Sequence, residues 1–122
     1  MKQGFDIYNY PKRLEADVRQ IKKADISEKN KQLIFDFRDF SSLEGIGLPR
    51  TARYMESLKV WAFVLKKDFD KATKEDITKA VRIIHEKESY SPRTKSAYKI
   101  MLKRFYKWLK DSGDAYPQKF LG

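Results

Sequence analysis

Cysteine is absent from all 122 residues, which excludes disulfides, thiolate metal sites and catalysis through a sulfur nucleophile. Histidine occurs once, as His85, at the edge of an apolar helix face, where a boundary residue is a better reading than a catalyst. The five glycines form no phosphate-cradling loop, and the zinc-protease, paired-cysteine and calcium-loop patterns are missing. No apolar run approaches the roughly 18 residues of a membrane span, and Met1 leads into KQGFDIYNY instead of a signal-peptide core. The expectation is a cytoplasmic protein with no membrane partner. Carboxylates are scattered over helix starts and lysine-rich surfaces, with no acidic pair in an apolar setting. Tyrosines number seven, but Tyr54 and Tyr98 fall on inward helix positions, and a phenol nucleophile needs activating cations and an acid–base partner. Catalytic, metal-binding and cofactor-binding residues are therefore all expected to be absent.

What is present is a helical globular composition, 41% apolar and 36% charged, with a formal net charge of +10. A length of 122 residues suits one domain with one core. Most of the charge excess lies between Ser91 and Lys110, where seven basic residues meet no Asp or Glu. At about 100° per residue, Thr94, Tyr98, Met101, Leu102, Phe105, Trp108 and Leu109 share one arc. Lys99, Lys103, Arg104, Lys107 and Lys110 share the other, and Tyr106 lies between them, placed to stack on a sugar or base. Ser91 before Pro92 predicts an N-cap, and Gly113 predicts the stop. A polyanion, nucleic acid first and an anionic membrane surface second, is the partner this distribution suits.

Taken in order, residues 1–10 show no clear period and predict a loose start. Pro11 opens a weak helix with Leu14, Val18 and Ile21 on one face, expected to be an appendage received by Phe35. Ser27 predicts the cap of a helix running to Glu44, with Leu33, Ile34, Phe37 and Phe40 inward and Gly45 as its end. After EGIGLP, a helix resumes at Pro49. Its C-terminal half is apolar nearly all round and should be the most buried part of the chain. Its first turns carry Arg50, Thr51 and Arg53, cations that oppose the helix dipole and would be relieved by a bound phosphate. Thr73 with Asp76 predicts a capping box for a helix buried through Ile77, Ala80, Val81 and Ile84. Period-2 alternation never lasts long enough for a strand, so the chain reads as all-α.

The succession GLPRTARYMESLKVWAFVL, then ATKEDITKAV, then YSPRTKSAYKIMLKRFYKWL resembles the N-terminal core-binding domain of tyrosine recombinases of the phage-integrase family. The family pattern is a Ser-x-x-Thr helix start, an Ile-Thr-x-x-Asp-Ile helix, and a second Ser-x-x-Thr start closing on an aromatic-rich helix. Here Leu48 stands where the first start has Ser. Ser91, Thr94, Tyr98 and the run Phe105–Leu109 follow the last pattern closely. The ISEKNKQLIFDF opening and the Tyr116-Pro117 pair are similar to archaeal members.

The resemblance implies a SAM-like four-helix core bundle with an extra N-terminal helix. Residues 1–26 would be an extension, 27–113 the DNA-binding domain and 114–122 the start of a linker. It also implies sequence-directed binding of double-stranded DNA as the N-terminal half of a clamp, with integration and recombination chemistry left to a separate C-terminal catalytic domain. The isolated domain would be a monomer without catalytic activity. Carried over by position, the DNA-binding candidates are Arg50, Thr51 and Arg53 on one helix and Arg93, Thr94, Lys95, Lys99 and Lys103 on the other. The alternatives are a free-standing DNA-binding regulator and a peripheral interaction bundle.

Overall fold

The computed structural model describes residues 10–111. The expected loose start, the Gly113 stop and the linker lie outside the described residues, as does the Leu14 side chain. Five α-helices follow one another: α1 Tyr10–Lys23, α2 Glu28–Leu43, α3 Leu48–Leu65, α4 Lys74–His85 and α5 Pro92–Asp111. A single 3₁₀ turn, Phe69–Lys71, lies between α3 and α4, and no strand occurs among the described residues.

The helix boundaries follow from local chemistry. Ser27 Oγ accepts from Asn30 N–H at 3.1 Å at the start of α2. Thr73 and Asp76 close a reciprocal capping box on α4, and Ser91 Oγ accepts from Thr94 N–H at 3.1 Å on α5. Each occupies one of the backbone donors that a helix start leaves unpaired. Gly45 ends α2 with φ +83°, a left-handed conformation that costs glycine nothing. Lys66 ends α3 with φ 61° and no such freedom.

Helix α3 is the hub, packing against each of the other four. Trp61 is 1% exposed, and its indole Nε1–H donates to the Tyr98 carbonyl at 2.9 Å, tying α3 to α5. Phe37 and Phe69 both contact Phe105, with ring centroids 5.5 and 4.6 Å away. These aromatic contacts link α2, the 3₁₀ turn and α5 in one core.

Four expectations are corrected by this packing. Helix α1 is more than an appendage: Ile21 is fully buried and the helix packs on α3. Phe40 stacks on Phe37 at the edge of the core, meets the Trp108 ring of α5 and remains 38% exposed. Tyr106, expected between the two faces of α5, is wholly buried, and its hydroxyl donates to the Phe69 carbonyl at 2.9 Å. The 3₁₀ turn presents both Phe69 and that carbonyl to α5, so the buried arc rotates toward Leu102, Phe105, Tyr106 and Leu109. The apolar second half of α3 is not buried throughout, since Phe63 remains 56% exposed.

Candidate nucleic-acid interface

Helix α5 crosses α3 and brings the two basic segments together. Trp61 meets the Tyr98 backbone. Farther along α5, Arg104, Lys107 and Trp108 share the walls of a shallow cavity of about 230 Å³ with Tyr54 of α3. The first turns of α3, with Arg50 and Arg53 exposed, therefore emerge beside α5. Glu56, one turn on, lies close enough to Tyr98 to act on its ionisation.

The candidate residues divide into three groups. Arg50, Arg53, Arg93 and Lys103 are exposed on the basic segments. Lys95 and Lys99 are half-buried and turned onto the C-terminus of α4: Lys95 Nζ donates to the His85 carbonyl at 2.6 Å, and Lys99 Nζ lies 2.8 Å from His85 Nε2. Cations are favoured there because a helix ends in unpaired carbonyls and a partial negative charge. An ammonium can only donate, so Nε2 is the acceptor side of this contact. His85 is thus a surface partner of two lysines. Its role as a boundary residue becomes a link between α4 and α5.

The third group comprises the two threonines. Thr51 is wholly buried, in line with Tyr54, Met55 and Leu58, and its hydroxyl donates to the Gly47 carbonyl at 3.0 Å. A side chain satisfied inside the first turn of α3 has no surface to offer DNA, so Thr51 is removed from the contact set. Thr94 is half-buried, and its Oγ1 accepts from the Ser91 hydroxyl at 3.1 Å, which makes it part of the cap.

Arg104, Lys107 and Lys110 were not among the candidate contacts, although they belong to the cationic arc. All three are exposed, as is Lys103. The four ion pairs among the described residues join Lys29 to Asp70, Lys31 to Glu28, Arg38 to Asp39 and Lys67 to Asp76. None involves α5 or the start of α3. The wheel position of these residues was legible; what hid them was the weight placed on the first half of the helix.

Acid–base chemistry is not prepared at the tyrosines beside this surface. Burial pushes the Tyr98 phenol up to about 12, with Tyr90 and Glu56 adding to the shift. Burial also raises Tyr106 well above the usual phenol range, helped by Asp70 and Asp76. Both stay protonated near neutral pH, the wrong state for a nucleophile. Among the described residues, no group of three or more His, Asp or Glu is placed to hold a metal ion. No described helix is long and apolar enough to cross a membrane.

No protein-family model, no curated protein and no solved structure matches this chain. The functional reading accordingly rests on the charge geometry and on the order of the sequence motifs.

Proposed function

We propose that this chain binds duplex DNA through the outer face of α5 together with the first turns of α3. We further propose that it does so as the N-terminal half of a recombinase-type clamp. The carrying observation is that Lys103, Arg104, Lys107 and Lys110 form an exposed basic face that none of the described ion pairs reaches. Unpaired cations at this density repel one another, and phosphates spaced along a duplex relieve that repulsion while releasing counterions. Lysines hold phosphates as point charges, whereas Arg50, Arg53 and Arg93 can also bridge O6 and N7 of guanine. The tyrosine-recombinase resemblance supports the clamp reading through Ser91, Thr94 and the Phe105–Leu109 run.

The test is a titration of wild type and variants against duplex DNA at several salt concentrations. Lys103→Ala combined with Lys107→Ala should weaken binding to all sequences alike and flatten the slope of log affinity against log salt by about two units. Arg53→Ala should instead lose about 1–3 kcal/mol of discrimination between sites if it reads a base. Hydroxyl-radical footprints should protect one side of the duplex, since half a clamp leaves the other side open. An unchanged slope and affinity in the lysine pair would return α5 to ordinary solvated surface and remove the DNA reading.

A further inference from the structure

The largest groove among those described lies away from the crossing of α3 and α5. It has a volume of about 610 Å³ and runs over the second half of α3, between the C-terminal ends of α1 and α4. Its floor is apolar: Val60, Phe63 and Val64 of α3 meet Ile83 of α4. Phe63 is 56% and Ile83 46% exposed, two of the five large apolar side chains most open to water. They lie in one groove, and Val60 and Val64 extend the same floor. Together they make a contiguous patch, unlike a scattered surface leucine.

The rim has one dominant sign. Lys23, Lys59, Lys66 and Lys87 line it against a single Asp25. None of the ion pairs among the described residues uses these lysines. Lys87 instead lies over the Tyr90 ring, 5.6 Å from its centroid. From Lys59 to Lys66 the floor follows α3 for seven residues, about 10 Å at 1.5 Å per residue. An apolar strip of that length between cationic edges matches a helix of two to three turns that carries apolar residues at i, i+3 or i+4, and i+7, with acids on its flanks.

We propose that this groove is a docking site for a short acidic amphipathic helix presented by a partner protein. Charge complementarity selects that occupant. A second copy of this chain cannot supply it among the described residues: α2 carries three acids and three bases, and α1, α3, α4 and α5 are each net basic. A duplex would satisfy the lysines but would set Phe63 and Ile83 against a polar sugar–phosphate surface. The proposal is independent of the DNA reading, which uses the start of α3 and the outer face of α5.

The probe is a fluorescent synthetic peptide of about fourteen residues, roughly four helical turns. Leu and Phe occupy its apolar face and Glu its flanks; a control keeps the apolar face and replaces Glu with Lys. Anisotropy titrations of the full chain should show saturable binding of the acidic peptide, roughly tenfold or more tighter than the basic one. Phe63→Glu and Ile83→Glu, both at exposed positions, should each weaken it by roughly tenfold or more while leaving DNA affinity unchanged. Lys59→Glu with Lys66→Glu should shift the preference toward the basic peptide. Circular dichroism confirms that each variant is folded. The proposal is overturned by equal binding of the two peptides, by no saturable binding, or by indifference to both groove variants. Concentration-dependent dimerisation abolished by Phe63→Glu would overturn it in favour of a second copy. Binding to anionic vesicles with the same Phe63 dependence would overturn it in favour of a lipid surface.

Discussion

Trp61 combines two roles at one position: its ring fills the centre of the core, and its Nε1–H holds the Tyr98 carbonyl of α5 at 2.9 Å. Trp61→Ala should therefore cost about 3–5 kcal/mol in denaturant melts, the range for a large-to-small core change. A loss below about 1 kcal/mol would show that α3 is not the hub. Asp76 makes a different prediction. Its carboxylate accepts from Thr73 N–H at 2.9 Å and from Lys67 Nζ at 3.0 Å. The backbone bond first, and then the ammonium, lower its pKa from 3.8 to about 2. Because the folded value lies below the unfolded one, the stabilisation is complete above about pH 4 and is lost as pH falls toward about 2. Wild type should therefore lose melting temperature more steeply across that window than Asp76→Asn. Parallel curves would mean that the capping box contributes nothing to the acid limb. Thr51 shows where residue-level reading stops. Its place in the first turn of α3 was evident, but only the packing of that turn against the core shows that its hydroxyl bonds Gly47 and not a ligand.

Between elements, the least legible join is Asn30. This side chain is 1% exposed; its Nδ2 donates to the Lys67 carbonyl at 2.8 Å and its Oδ1 accepts from Phe69 N–H at 2.7 Å. One amide of α2 thus fastens both ends of the link between α3 and the 3₁₀ turn. Asn30→Ala would strand two backbone groups, each costing about 1–3 kcal/mol if left unsatisfied. A loss of about 2–4 kcal/mol in chemical denaturation is expected, with amide exchange accelerating first at Phe69. A loss near zero would show that water replaces the amide and that the join is not structural. No pattern in KKDFDKA announced this, because a polar residue on α2 carries no periodic signal toward a partner some forty positions away. Helix starts are the opposite case. Ser27, Thr73 and Ser91 were readable because a cap is satisfied within three residues of itself. The shifted buried arc on α5 has the same origin: its wheel identified an apolar arc, but the Phe69 carbonyl and ring determined that Tyr106 turned inward.

At the scale of the whole molecule, folding sorts charge as well as apolar surface. The segments 49–67 and 91–110 carry +4 and +7 of the net charge, and the remainder is close to neutral. The crossing at Trp61 and Tyr98 makes those two distant segments neighbours. Ion pairs among the described residues hold Lys29, Lys31, Arg38 and, at the end of α3, Lys67, whereas none reaches the basic face of α5. The sequence by itself determined the all-α class, the helix starts, the hub role of α3 and the sign and location of the charge, because each depends on residues within a few turns of one another. Tertiary structure alone decided that α1 belongs to the bundle, that Thr51 and Tyr106 are buried, and that Lys95 and Lys99 lean on the end of α4. It alone left Phe63 and Ile83 open in a lysine-rimmed groove. Those outcomes depend on which face of one helix another covers, and local periodicity identifies an apolar face without specifying the neighbour that reaches it.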